Sequence, residues 1–218
     1  MVITCLHGFL GAPRDWNFLR DAGFLIDTPS LDAIPPRGDI LLGYSLGGRL
    51  ALHALLDGAQ YERAVFISTG LGIEGDSARA ARRDSDEAWA QRFQSEDWDT
   101  VINAWNAQPV LAGPSLNRQP GDFDPRALRE WSSGALPPVA SRLHELTIPT
   151  LWIAGARDAK YVAEAHRAAS LAREARVEIV EGAGHRVPWE QPEAFTDIVR
   201  EWLTKNAHAK TRRREEKE

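Results

Sequence analysis

Short runs of β-branched and aliphatic residues recur along the chain, each ending at glycine or a small polar residue, with helically periodic segments between them. The runs at 2–6, 24–27, 40–42, 64–68, 150–154 and 177–180 are apolar at nearly every position, the mark of strands buried on both faces. Helical segments fall at 15–21, 46–57, 159–172 and 192–205. The last opens on Pro192 and repeats Phe195, Ile198, Val199 and Trp202 at helical spacing. This alternation predicts an α/β fold, a mostly parallel sheet flanked by helices.

The alternation stops over residues 69–148, where helical patterns are interrupted by Pro109, Pro114, Pro120 and Pro125. That stretch reads as a helical cap inserted into a core made of 1–68 and 149–206. Trp89 and Phe93 share one stripe of the first cap helix, and Trp98 and Trp105 one stripe of the second, because positions four or seven apart lie on one helix face. Residues 207–218 are charged nearly throughout and are expected to form a disordered tail.

Composition narrows the classes. The 218 residues suit one domain of ordinary size, and 43% hydrophobic residues with eight tryptophans supply a core. A net charge of −5 gives no overall positive field, so neither nucleic acid nor an anionic membrane is expected as partner. No uncharged apolar run reaches the ~20 residues that span a bilayer. Cys5 is the single cysteine, and the chain runs directly into Val2-Ile3-Thr4-Cys5-Leu6 with no basic leader. A cytoplasmic location is therefore expected.

Gly43-Tyr44-Ser45-Leu46-Gly47-Gly48 sits where the strand at 40–42 turns into an apolar helix, the setting of a nucleophile elbow. The alternative is a glycine-rich turn with no chemistry. A serine becomes reactive only when an imidazole takes its proton and a carboxylate orients that imidazole. Asp158 follows the strand at 150–154, and His185 follows the strand at 177–180, in the chain order Ser, Asp, His. Taken singly, Asp158 also reads as a helix cap and His185 as a surface-loop histidine. The oxyanion donors are expected from the amide of Leu46 and from the loop His7-Gly8-Phe9-Leu10-Gly11, with Phe9 as the second donor. The Phe9 ring reads equally well as core, and His7 as a structural group that fixes this loop.

Arg49 lies one turn after Ser45 on an otherwise apolar helix, so its guanidinium needs an anionic partner, a protein carboxylate or a bound one. Arg82 shares the stripe of Trp89 and Phe93 and points inward, whereas Arg83 is turned outward by about 100°. The same helix carries Asp76, Asp84, Asp86 and Glu87, so a plain solvated face is the competing reading. Two inward arginines favour a small-molecule substrate with several carboxylates. No set of His, Cys, Asp and Glu has ligand spacing, and no metal or other cofactor is expected.

These pieces together resemble the α/β-hydrolase superfamily over nearly the whole folded length. Within it, the cap string from Arg82 through Trp89-Ala90-Gln91-Arg92-Phe93, and Trp105-Asn106-Ala107-Gln108-Pro109-Val110, are similar to the 2-succinyl-6-hydroxy-2,4-cyclohexadiene-1-carboxylate synthases of menaquinone biosynthesis. The resemblance implies a lyase that eliminates pyruvate without a cofactor. It places a triad on Ser45, Asp158 and His185, and substrate contacts on Tyr44, Arg49, Arg82 and Trp105. Trp105 also reads as core beside Trp98. The alternative is a serine carboxylesterase or thioesterase that forms an acyl-enzyme on the same triad. A ligand-binding protein on a hydrolase scaffold is the third reading, against which the intact triad counts. The chain departs from the superfamily between its glycine motifs: only residues 12–42 separate them, and Asp27-Thr28-Pro29-Ser30-Leu31 stands where a glycine-rich loop is usual. A shortened helix or strand there bears on the pocket wall.

Overall fold

The computed structural model describes residues 1–114 and 116–215, with side chains through Lys205. The first elements are β1 (Ile3–Leu6), a 3-10 turn (Pro13–Trp16), α1 (Asn17–Asp21), β2 (Ile26–Asp27), β3 (Arg37–Tyr44), α2 (Leu46–Leu56) and β4 (Gln60–Ile67). Then come α3 (Asp76–Ser95), α4 (Trp98–Asn106) and α5 (Arg126–Arg129), with 3-10 turns at Pro109–Leu111, Pro120–Asp122 and Ala140–Glu145. The chain closes with β5 (Thr150–Gly155), α6 (Ala159–Leu171), β6 (Ala175–Val180), α7 (Val187–Glu190) and α8 (Pro192–Glu215). The charged tail expected over 207–218 falls beyond the last described side chain, and its final residues 216–218 lie outside the described residues altogether.

Among the described residues the strands form one sheet in the order β2-β1-β3-β4-β5-β6, parallel throughout. Alternate side chains divide between two covering layers, which is why the runs at the middle of the sheet are apolar at nearly every position. Ile40, Leu42, Val65, Ile67, Leu151 and Ile153 join Leu19 of α1 and Phe195, Val199 and Trp202 of α8. Leu41, Ala64, Phe66, Trp152 and Ala154 meet Leu52 and Leu55 of α2 and Ala165 and Ala168 of α6. The order reverses at β1, whose neighbours are β2 and β3, and such switch points open a crevice at the carboxyl ends of the strands.

The expected strand at 24–27 is reduced to Ile26–Asp27. Leu25 is exposed, and its carbonyl accepts from the Ile3 amide. The helix expected at 15–21 is divided into a 3-10 turn and α1, because Pro13 opens a tighter turn. No helix covers the crossover from β2 to β3. Leu31 and Ile34 pack there against the α2 face, and the Tyr61 hydroxyl donates to the Pro35 carbonyl at 2.9 Å. Between β4 and β5, the tryptophan stripes of α3 and α4 pack against each other. Trp89, Phe93, Trp98 and Trp105 share one cluster with Leu10, Val101 and Leu128.

Candidate active site

Ser45, Asp158 and His185 follow β3, β5 and β6 at the carboxyl edge of the sheet. His185 Nε2 stands 3.1 Å from Ser45 Oγ, and His185 Nδ1 2.7 Å from Asp158 Oδ2. Asp158 keeps its cap as well: Oδ1 accepts from the Tyr161 amide at 3.4 Å, so one carboxylate starts α6 and holds the imidazole. His185 is 5% exposed and no surface-loop residue. An imidazole bonded on one side to a carboxylate and on the other to a hydroxyl is set to take the hydroxyl proton.

The elbow depends on close backbone approach. Ser45 has φ 52°, outside the range most side chains adopt, and its amide donates to the Ile67 carbonyl at 2.9 Å. A Cβ on Gly43 would stand 2.5 Å from Gly48 Cα, and one on Gly47 would run into the carbonyls of Leu6 and His7. The first loop is fixed by His7 Nδ1, bonded to the Gly8 carbonyl at 2.9 Å, and by the Gly11 amide donating to that same carbonyl at 3.0 Å. Burial pushes the His7 pKa below its ordinary value. The amides of Phe9 and Leu46 have no acceptor among the described residues, and both residues line the cleft above Ser45. The non-glycine residues with positive φ among those described are Leu10, Ser45 and Ser68, all in turns at this edge of the sheet.

The cleft has a volume of about 360 Å³. Its core side carries Tyr44, Arg49 and Tyr161. Its cap side carries Arg82, Asp86, Trp89 and Trp105. The imidazole of His185 lies near two tyrosine rings, Tyr161 at 4.5 Å and Tyr44 at 5.6 Å between centroids. Trp105 packs on Phe9 at 4.6 Å and edge-on to Trp89 at 5.0 Å, so it is at once core of the cap and wall of the cleft. The Phe9 ring has the same double place.

The arginines differ. Arg49 Nη2 donates to the Trp131 carbonyl at 2.7 Å, and among the described residues no carboxylate comes within ion-pair distance of it. Burial pushes its pKa down to about 10, and the like charge of Arg82 acts in the same direction. Arg82 faces the cleft but has a partner, its Nε bonded at 2.8 Å to both oxygens of Asp86. Asp86, counted by sequence among solvated charges, is 2% exposed. It lies one turn after Arg82 and three residues before Trp89, on the buried stripe. Arg83 does turn outward but folds back to donate to the Gly134 carbonyl at 2.9 Å. The shortened segment between the glycine motifs borders a second cavity, of about 370 Å³, through Ala12, Pro13, Arg14, Ser30, Leu31 and Asp32, and lines no part of the cleft of Ser45. Among the described residues no three His, Cys, Asp or Glu side chains converge as metal ligands, and no helix is long and apolar enough to cross a membrane.

Residues 3–198 match the model of the alpha/beta hydrolase family. The chain belongs to the alpha/beta hydrolase family. Among curated members, this alpha/beta hydrolase is 30% identical to the 2-succinyl-6-hydroxy-2,4-cyclohexadiene-1-carboxylate synthase of Salmonella arizonae, over 92% of this chain and 93% of that protein. The synthase of Salmonella agona is 29% identical over the same shares. Among solved structures, MenH from S. aureus superposes with a TM-score of 0.83 at 24% identity, over 94% of each chain. An esterase from Thermogutta terrifontis superposes at 0.67 with 20% identity, over 94% of this chain and 90% of that one, which shows the shared fold.

Several groups around the site of this hydrolase were not singled out by sequence. Tyr161 was three residues past a candidate cap, a position that marks its amide but not its ring. Arg186 donates to the carbonyls of Leu111 and Pro114, and Glu190 accepts from the Gly184 and Arg186 amides, contacts that only the tertiary fold creates.

Proposed function

We propose that the chain is a cofactor-independent lyase that eliminates pyruvate from 2-succinyl-5-enolpyruvyl-6-hydroxy-3-cyclohexene-1-carboxylate. The observation that carries this reading is Arg49, a half-buried guanidinium with no carboxylate within ion-pair distance among the described residues, one turn from a serine hydrogen-bonded to histidine. The substrate bears three carboxylates, and the curated relatives carry the name of this synthase.

The chemistry follows from the two names. The substrate ring has its double bond at position 3, and the product has double bonds at 2 and 4, so a proton leaves carbon 2 and the enolpyruvyl oxygen leaves carbon 5. His185 takes the Ser45 proton, Asp158 holds the imidazole, and the serine oxygen removes the ring proton. Negative charge then gathers on the succinyl ketone oxygen, where the Phe9 and Leu46 amides serve as donors. The ring electrons shift, the carbon–oxygen bond at carbon 5 breaks, and the departing enolate takes up a proton to become pyruvate. Arg49 and Arg82 bind substrate carboxylates, while Tyr44 and Trp105 shape the walls.

The test is pyruvate release by wild type, Ser45→Ala and Arg82→Ala, with a short-chain aryl ester as control. Ser45→Ala is expected to lower kcat by about 10³-fold or more while leaving substrate binding largely intact. Arg82→Ala is expected to raise KM. No pyruvate release by wild type, with rapid Ser45-dependent ester cleavage, overturns the lyase reading in favour of an esterase.

A further inference from the structure

The loop that carries His185 is short of side chains to fix it: it runs through Gly182, at φ 73°, Ala183 and Gly184. One buried carboxylate does that work. Glu190, the last residue of α7, has a side chain 2% exposed. Its Oε2 accepts from the Gly184 amide at 2.8 Å and its Oε1 from the Arg186 amide at 2.9 Å, the residues on either side of His185. On the far side, the His185 carbonyl accepts from Ser68 Oγ at 2.9 Å. The Asp158 loop rests on the same backbone, since the Arg157 amide donates to the Ala183 carbonyl at 2.9 Å.

We propose that Glu190 is a positioning residue for the reaction: by holding both amides that flank His185, it sets where the imidazole stands between Ser45 and Asp158. This rests on the reading of those three residues as the catalytic set. The choice of residue follows from hydrogen-bond chemistry. Two N–H donors converge on one side chain, so two acceptor oxygens are needed, and a carboxylate offers both. Glutamine has the same shape but turns an NH₂ toward one of the donors, and aspartate is a methylene too short to reach both. Arg157 also donates to Glu190, at 2.8 Å, but its side chain is 63% exposed and its charge is screened by solvent. The amides, not that ion pair, do the positioning. A relay across gaps of 3.1 Å and 2.7 Å loses rate steeply when one member moves, and a displacement of about 1 Å can cost about 10²-fold.

The experiment compares wild type, Glu190→Gln, Glu190→Asp and Arg157→Ala by three readouts. These are kcat and KM for pyruvate release, the rate at which a fluorophosphonate labels Ser45, and the low-field proton resonance of His185 Nδ1–H. Glu190→Gln is expected to lower kcat and the labelling rate by about 10- to 100-fold with KM within about threefold, and to shift or broaden the resonance. Arg157→Ala is expected to stay within about twofold of wild type on all three. A folded Glu190→Gln protein with wild-type kcat, labelling rate and resonance overturns the proposal. So does a loss of rate equal to the loss of folded protein by circular dichroism, with the resonance unchanged. If wild type releases no pyruvate yet is labelled at Ser45, the lyase reading falls and the labelling rates still decide the role of Glu190. If wild type is not labelled either, the catalytic reading falls and the resonance alone decides whether Glu190 sets the His185–Asp158 bond.

Discussion

Replacing Arg49 by methionine should separate binding from stability. Arg49 keeps its charge in a half-buried place with no carboxylate within ion-pair distance among the described residues, and desolvation pushes its pKa down to about 10. At 1.36 kcal/mol per pKa unit, holding that charge costs the unliganded fold up to about 3 kcal/mol. The Trp131 carbonyl loses its donor in the variant, which takes back about 1 to 2 kcal/mol, while methionine keeps most of the apolar contact. The net expectation is a gain of about 1 kcal/mol in the free protein. For a chain of this length that corresponds to a rise of about 2 °C in Tm. A dicarboxylate such as succinate should raise the Tm of wild type by mass action and leave that of Arg49→Met unmoved. Thermal melts of both proteins, with and without succinate at low ionic strength, give all four numbers. A free Arg49→Met protein melting more than about 4 °C below wild type would refute the reasoning, because the guanidinium would then be a structural stud.

Other outcomes follow from the same geometry. Gly47→Ala drives a methyl into the carbonyls at the end of β1 and should cost about 2 to 3 kcal/mol, read as a lower urea midpoint; an unchanged midpoint means β1 and α2 have room to part. Asp86→Asn leaves Arg82 without its neutralising partner, so inhibition by a dicarboxylate should tighten severalfold and become more salt-dependent. Weaker inhibition would mean that Asp86 serves to aim Arg82. His7 is depressed by burial, so the unfolded chain takes up a proton that the folded one refuses. Stability is therefore full above about pH 6.5 and falls below it, by at most about 1.4 kcal/mol per pH unit, until the folded pKa is reached. Urea titrations at pH 7.0 and 5.5 should show a larger loss in wild type than in His7→Gln; His53, depressed for the same reason, is common to both and cancels.

The sheet was legible because its central strands are covered on both faces, so side-chain polarity there reports directly on burial. Where that link fails, so does the reading. β3 begins at Arg37 and β4 at Gln60, several residues before their apolar runs: Arg37 and Gln60 pair through the backbone while their side chains meet solvent, and Arg63 is buried although charged. Ser45, Asp158 and His185 were legible through chain order and their places at strand ends. Asp86 was within reach of sequence, standing on the stripe of Arg82 and Trp89, but acidic neighbours at Asp84 and Glu87 masked it. Glu190 left one clue, an acid closing the short apolar run Val187-Pro188-Trp189, yet nothing local tells which amides it would meet.

The pairing of β1 with β3 places Leu6 opposite Gly43. The loop of Phe9 and the turn of Leu46 leave from these two bonded strands, so sheet register sets the points from which both amides start and the contacts within the loop do the rest. A slip of one residue would turn every side chain of β3 to the opposite layer, and the core forbids it. Hydrogen exchange should record this as a division of the molecule. The amides of Leu41, Leu42 and Gly43 should exchange only when the whole chain unfolds, and those of α4 at lower free energy. On that expectation the strand ends from which the proposed oxyanion donors Phe9 and Leu46 start hold until the whole chain unfolds, while α4, which carries Trp105 of the cleft wall, opens sooner.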